Sequence, residues 1–309
     1  MSEITASKVK ELRDKTGVGM MDAKKALVEN DGDMTASLDW LRTKGLAKAA
    51  KKAGRTAAEG LVAVAVSDDR KNAVLVEVNA ETDFVSRNEK FQEAVQKFAD
   101  AALDSQVETL DELKELEIEG NKVADILTDL IATIGENIEL RRFERLSVDK
   151  GVIGHYVHNS VSENMGRIAV LTALESDADA DKLAEIGKKI SMHVAAAKPE
   201  YLKAENIDSQ RLEREKNVLR EQAADSGKPP EIIEKMIEGR LRKFYEEVCL
   251  LNQVFVIDGE NTVQKFLDLQ AKELGQDITL PGYVMFVLGE GIEKKEEDFA
   301  QEVKNAVNG

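Results

Sequence analysis

Few side chains in this sequence are of the types that carry out catalysis or bind metal ions. Its three histidines are His155, His158 and His193, and Cys249 is its only cysteine. His155 and His158 lie in a predicted strand with their side chains on opposite faces, which disfavours a shared metal ion. Cys249 lies in an apolar run without the positive neighbour that activates a thiol. The sequence predicts no catalytic residue and no metal site, and a hydrolase that uses His155 or His158 is kept as an alternative.

Nucleotide and cofactor binding are not indicated either. The sequence contains no Gly-x-x-x-x-Gly-Lys-Ser/Thr phosphate loop. Gly289 and Gly291 form a glycine pair without the strand–turn–helix context of a phosphate site, so we interpret them as a turn. No cofactor is predicted, and an enzymatic activity is not favoured.

An acid and a large aromatic stand side by side at the end of a predicted strand. Residues 73–78 are mostly apolar and β-branched, as in a buried strand, and a helix pattern follows from about Asn88. Asp83 and Phe84 lie in the short turn between them. Either Phe84 returns to the core and Asp83 caps the helix, or the turn presents both side chains to a partner.

Composition limits the class of protein and of partner. The net charge is −16, which argues against nucleic acid as a direct partner because phosphate binding needs clustered basic residues. No run approaches the roughly 18 apolar residues of a membrane helix, and the first residues do not resemble a secretory signal. With a single cysteine, these features predict a cytoplasmic protein without a membrane partner.

Hydrophobic periodicity and turn signals predict an α+β fold. The sequence indicates an N-terminal three-helix unit of the ubiquitin-associated (UBA-like) type, two similar α+β core subdomains with antiparallel sheets, a helical hairpin (coiled coil) that is either a protruding arm or an ordinary core αα-hairpin, and a C-terminal helical module. The predicted boundaries are 1–45 for the three-helix domain, 46–59 for a basic linker, 60–137 and 138–290 for the two core subdomains, 208–248 for the hairpin within the second, and 291–309 for the last module.

Local signals also predict where single elements begin and end. The third helix is expected to stop at Gly45, since glycine commonly ends helices. Residues 138–146 are expected to open the second set of strands, and residues 249–257 to form a strand that returns to that sheet. The acidic segment 108–119 is expected to be a solvated, mobile face.

Four motifs resemble those of one family, bacterial elongation factor Ts. The first runs from Leu12-Arg13 through Thr16-Gly17-x-Gly19-Met20-Met21-Asp22-x-Lys24-Lys25-Ala26-Leu27. The others are Glu77-Val-Asn-Ala-Glu-Thr-Asp-Phe-Val-Ser-Arg87, Ile134-Gly-Glu-Asn-Ile138 and Gly289-Glu-Gly-Ile292, and all four occur in the same order along nearly the whole chain.

The resemblance implies a non-enzymatic guanine-nucleotide exchange factor for elongation factor Tu, acting in translation elongation. The expected partner is Tu, both GDP-bound and nucleotide-free, and a higher-order assembly of such pairs is left open. Phe84 would wedge between helices of the GTP-binding domain of Tu, and the turn would displace Mg²⁺ so that GDP leaves and GTP can bind. A UBA-type protein-binding adaptor is the alternative function.

The resemblance also assigns residues to the partner-binding surface. The intruding turn comprises Thr82, Asp83, Phe84 and Val85, and Phe84 is therefore expected to be exposed. The other expected contacts with Tu are Arg13, Met20, Met21 and Lys24 on the three-helix domain, Ile134 and Gly135 beside the wedge, and His158, Val256 and Ile257 toward the far domain of Tu.

Overall fold

The computed structural model describes residues 4–16, 18–224 and 229–293 of the chain. Among these residues, helices alternate with antiparallel strands, which confirms the α+β class. No helix in these ranges is both long and apolar enough to cross a membrane. The helices are α1 (Ala6–Thr16), α2 (Met20–Glu29), α3 (Met34–Lys52), α4 (Glu89–Asp104), α5 (Leu110–Glu115), α6 (Val123–Ile134), α7 (Ala180–Ala197), α8 (Ser209–Ala224), α9 (Pro230–Val248) and α10 (Val263–Leu274). The strands are β1 (Glu59–Val66), β2 (Asn72–Ala80), β3 (Glu117–Ile118), β4 (Asn121–Lys122), β5 (Ile138–Ser147), β6 (Val152–His158), β7 (Met165–Gly166), β8 (Ile168–Glu175) and β9 (Thr279–Val287).

Two antiparallel sheets form the centre of the molecule. The first has the strand order β5-β2-β1-β7 and the second the order β6-β8-β9. Their inner faces pack on each other through alternating apolar side chains, among them Val62, Leu75 and Leu171. Helices α4 and α6 cover the outer face of the first sheet, and α7 and α10 cover that of the second. The central strands β1, β2 and β8 are therefore buried on both faces, in a helix–sheet–sheet–helix arrangement.

The three N-terminal helices enclose a small core, to which Leu12 and Leu27 contribute fully buried side chains. The prediction that α3 stops at Gly45 was wrong, because the helix continues to Lys52. A Cβ built on Gly45 would lie 3.4 Å from the Cβ of Ala132, so this glycine lets α3 approach α6 closely. The basic segment after Gly45 is thus largely helix, and it joins the three-helix unit to the core.

The strand at residues 138–146 was expected in the second sheet but lies in the first. As β5, it pairs along its length with β2, from Asn72 opposite Ser147 to Ala80 opposite Ile138. The partner of a strand is set by side-chain packing over a long sequence distance, and no local pattern reveals it.

The strand predicted at residues 249–257 was also wrong. Helix α9 ends at Val248, a 3₁₀ turn covers Leu250–Asn252, and an irregular loop follows. Leu250 and Phe255 are each buried in the core that α7 and α10 cover, but they do not belong to a strand. The segment is therefore apolar because individual side chains of an irregular loop are buried, and not because it forms a strand with one buried face.

The acidic segment 108–119 is more ordered than expected. It contains α5, which begins with a capping box in which Thr109 and Glu112 satisfy each other's backbone N–H groups. Leu113 is fully buried against α4 and α6. The region predicted as a helical hairpin, residues 208–248, contains α8 and α9, whereas nearly all of the C-terminal module predicted at 291–309 lies outside the described residues.

Candidate partner-binding site

The turn after β2 holds an aromatic side chain away from the protein. Residues Asp83–Arg87 form a 3₁₀ helix between β2 and α4. Phe84 is 77% exposed, as expected, whereas the neighbouring Val85 is only 3% exposed and packs into the core of the first sheet. Val85 therefore anchors the turn from below, and the groups available to a partner are those of Thr82, Asp83 and Phe84.

A glutamate from the next turn holds the start of this 3₁₀ helix. The carboxylate of Glu136 accepts hydrogen bonds from the backbone N–H of Thr82 at 2.8 Å and from its hydroxyl at 2.6 Å. In return, the carboxylate of Glu81 accepts from the backbone N–H of Asn137. Reciprocal side-chain-to-backbone bonds thus join the two turns and hold the backbone directly before Phe84.

Further contacts link these two turns to Arg55, which follows the last of the N-terminal helices. Arg55 forms an ion pair with Glu81 at 3.3 Å, and its carbonyl oxygen accepts a hydrogen bond from the side chain of Asn137 at 2.8 Å. Ile134 and Gly135 directly precede Glu136, and Gly135 ends α6 in the left-handed conformation that favours glycine. These two predicted contact residues therefore lie directly before Glu136, whose carboxylate holds Thr82 at the start of the 3₁₀ helix.

The far end of the 3₁₀ helix is fixed by the following helix. Asn88 caps α4 by accepting a hydrogen bond from the N–H of Phe91 at 3.2 Å. The hydroxyl of Ser86 donates to the carbonyl of Asp83, and the side chain of Gln92 donates to the carbonyl of Ser86. Both ends of the turn are held by hydrogen bonds, so the backbone that carries Phe84 has a defined position.

A buried carboxylate lies on β2, the strand that leads to the turn. Glu77 of β2 has no exposed surface, and it contacts Arg142 at 2.6 Å, Arg141 at 2.9 Å and the N–H of Gly289 at 2.8 Å. Burial by itself raises the pKa of Glu77, but these donors outweigh it and hold the pKa below its ordinary value. Glu77 thus joins β2, β5 and the segment after β9 through one ionised group.

The other residues assigned by resemblance fall into two further groups. On the three-helix unit, Met20, Met21 and Lys24 are exposed on α2, while Arg13 of α1 is half-buried and paired with Asp14. These side chains form a surface on different elements from those that carry the turn.

The remaining group belongs to the second sheet and the loop after α9. His158 is exposed at the end of β6, with its Nδ1 atom 3.0 Å from the hydroxyl of Tyr156. Val256 and Ile257 are 51% and 47% exposed. Behind them, the buried His193 accepts a hydrogen bond from the N–H of Val256 at 3.2 Å, a contact that sequence reasoning missed.

His155, one of the two histidines considered for a hydrolase, lies beside two basic side chains. His155 lines a cavity of about 810 Å³ together with Arg70 and Lys188. Burial lowers its pKa, and the charges of Lys188 and Arg70 lower it further. Within the described ranges, no nucleophilic side chain is hydrogen-bonded to His155, and no group of three potential metal ligands is found.

Comparison with known proteins identifies the family. A model of the family described as elongation factor TS matches residues 81–290. Proteins called elongation factor Ts are similar over nearly the full length: that of Paramagnetospirillum magneticum is 56% identical over 305 residues, 98% of this chain and 97% of the relative. Those of Rhodospirillum centenum and of a Caulobacter strain are each 54% identical over 98% of both chains. The fold, the four motifs and these similarities together establish that the chain belongs to the elongation factor Ts family.

Proposed function

We propose that this protein is the guanine-nucleotide exchange factor for elongation factor Tu and acts by binding rather than by chemistry. The observation that carries the proposal is Phe84, a large aromatic side chain that is 77% exposed although the residues on both sides of its turn are firmly held. Exposing such a side chain to water has a free-energy cost that insertion into a partner removes. Family membership supplies Tu as that partner.

Exchange follows from linkage between two ligands of Tu. If this protein binds nucleotide-free Tu more tightly than GDP-bound Tu, it must weaken the binding of GDP by the same factor. In the proposed complex, Phe84 enters between helices of the GTP-binding domain, and Asp83 and Thr82 approach the Mg²⁺ site. Loss of Mg²⁺ removes the largest local charge that holds the phosphates, so GDP dissociates and GTP can take its place.

The other exposed groups serve affinity in this proposal. Met20, Met21 and Lys24 on α2 would contact the GTP-binding domain, and His158, Val256 and Ile257 would contact the far domain of Tu. Contacts at two separate places on Tu would orient the wedge at Phe84. We therefore distinguish residues that bind Tu from residues that expel GDP.

The decisive experiment measures release of fluorescent GDP from Tu by stopped flow. Complete burial of a phenylalanine is worth about 1.5–3 kcal/mol, so Phe84→Ala should lower the maximal release rate about tenfold to a hundredfold while the melting temperature stays unchanged. Leu269→Ala, which truncates a 43% exposed apolar residue on α10, is the matched control and should behave as wild type. A wild-type rate for Phe84→Ala would refute the wedge.

A second arm isolates the role of Mg²⁺. With excess EDTA, Tu has already lost the ion, so the acceleration by wild-type protein should shrink and approach that of Phe84→Ala. If the two proteins still differed as much as they do in Mg²⁺, the wedge would act on the nucleotide by another route.

An adaptor function of the three-helix unit is less well supported. In such a role the unit would be a separate module on a linker, but α3 continues to Lys52 and packs on α6. Arg42 of α3 also forms an ion pair with Asp125 of α6 at 2.8 Å. These contacts favour a unit that works together with the core.

A further inference from the structure

His193 holds the loop that follows α9 through both of its ring nitrogens. The residue lies on α7 with no exposed surface. Its Nδ1 atom accepts from the backbone N–H of Val256 at 3.2 Å, which requires the ring proton to be on Nε2. Nε2 then donates to the side-chain oxygen of Gln253 at 2.9 Å, and the amide group of Gln253 donates to the carbonyl of Glu247 at 2.8 Å.

The rest of the loop leaves Val256 little freedom. Phe255 is buried, stacks on Phe266 at a centroid distance of 4.3 Å and contacts the ring of His193 at 5.7 Å. The N–H of Phe255 bonds to the carbonyl of Asn261 at 2.7 Å. Phe255 is buried whereas the side chain of Val256 is 51% exposed, and His193 holds the backbone at that point.

We propose that His193 is a positioning residue for the exchange reaction: by accepting the N–H of Val256, it sets the loop that presents Val256 and Ile257 to elongation factor Tu. This inference rests on the proposed function. In this role, the buried side chain of His193 contacts neither Tu nor nucleotide. It affects the affinity for Tu but does not affect the wedge at Phe84.

Two amide substitutions separate the two ring nitrogens. The side-chain oxygen of asparagine can reach the position of Nδ1, so His193→Asn keeps the acceptor for Val256 and loses the donor to Gln253. The longer glutamine reaches the position of Nε2, so His193→Gln keeps the donor and leaves the N–H of Val256 without an acceptor. A purely structural histidine would make the two variants equivalent, whereas a positioning histidine predicts that only His193→Gln impairs the loop.

The test measures GDP release from Tu as a function of the concentration of this protein. For His193→Gln, the concentration that gives half-maximal rate should rise about threefold to tenfold, as expected for one lost hydrogen bond, with the maximal rate unchanged. His193→Asn should recover most of that affinity. In a Val256→Ala background, His193→Gln should add little, because the two residues act on one contact.

Ser191→Ala is the stability control. Ser191 is buried on α7 and bonds to Thr172 at 3.0 Å, away from the loop, so its loss should lower the melting temperature without changing the half-saturating concentration. If His193→Gln does not fold, Gln253→Met is the second variant: it removes the acceptor of Nε2 but leaves Nδ1 to accept from Val256, so it should keep nearly the wild-type half-saturating concentration, and a rise as large as that predicted for His193→Gln would overturn the positioning role.

The outcomes distinguish the two proposals. If wild-type protein does not accelerate GDP release from Tu, the proposed function fails and the positioning role falls with it. If wild type is active but His193→Gln and His193→Asn share one half-saturating concentration, or if only the maximal rate changes, the positioning role alone is overturned.

Discussion

Replacing Glu77 by glutamine should strongly destabilise this protein although the substitution preserves shape. The carboxylate is fully buried and accepts from Arg142, Arg141 and the N–H of Gly289, with Asn79 at 3.1 Å as a further donor. Glutamine removes the negative charge and turns one acceptor into a donor that faces these donors. Breaking a buried ion pair costs about 3–5 kcal/mol, but the arginines are 25% and 31% exposed and keep some hydration, so we expect about 2–4 kcal/mol.

Thermal unfolding followed by circular dichroism measures this loss. For a chain of this size, a change of 1 kcal/mol shifts the melting temperature by about 2 °C, so Glu77→Gln should melt about 4–8 °C lower than wild type. Glu144→Gln is the matched control, because Glu144 is exposed on the same strand that supplies the arginines, and it should change stability by less than about 0.5 kcal/mol. If both variants had the same melting temperature, the buried carboxylate of Glu77 would not stabilise the sheets as argued.

The same pair of proteins gives a pH signature. Because the folded-state pKa of Glu77 is lowered, its contribution is complete above the unfolded-state pKa of about 4.3 and disappears as the pH falls through the lower folded-state value. The gap in stability between wild type and Glu77→Gln should therefore be constant from pH 7 to about 5 and narrow below that. A gap that widened in acid would contradict the assigned direction of the pKa shift.

Three further predictions follow from close contacts in the structure. A Cβ on Gly187 would lie 2.8 Å from the Cα of Gly154, so Gly187→Ala should lower the free energy of unfolding in urea by about 1–3 kcal/mol; an unchanged midpoint would show that α7 can move away from β6. Burial raises the pKa of Cys249 to about 11, so a thiol reagent at pH 8 should label it slowly in the folded protein and completely in urea, and fast labelling of the folded protein would contradict its burial. Glu136→Ala removes both acceptors of Thr82, so the maximal rate of GDP release should fall several-fold with little change in melting temperature; a wild-type rate would mean that the turn needs no clamp.

Much of the helical structure was predictable because its signals are local. Helix α4 shows the expected apolar periodicity and begins at a capping asparagine, and the hairpin α8–α9 follows from its apolar seam. Gly45 misled the prediction because the residue that commonly ends a helix also lets two helices approach closely. Only the position of Ala132 in space distinguishes these two uses.

The candidate site was predictable in part for a similar reason. The turn at Asp83 and Phe84 was visible in the sequence, and the resemblance indicated its exposure, which the structure confirms. The residues that hold the turn were not found, since Glu136 and Thr82 are 54 residues apart and a single sequence gives no sign that they meet. The role of His193 was hidden because its partners, Gln253 and Val256, lie in a segment that was predicted to be a strand.

The contact between Glu77 and Gly289 has a consequence for the order of folding. The two residues are 212 positions apart, and closing such a long loop is slow and entropically costly. Until the chain beyond β9 arrives, the strand leading to the exposed aromatic carries a carboxylate that still lacks one of its buried donors. A chain truncated before Gly289 should therefore present the aromatic turn on a sheet that lacks one of its buried contacts, and we expect a protease to cleave it faster than the full chain.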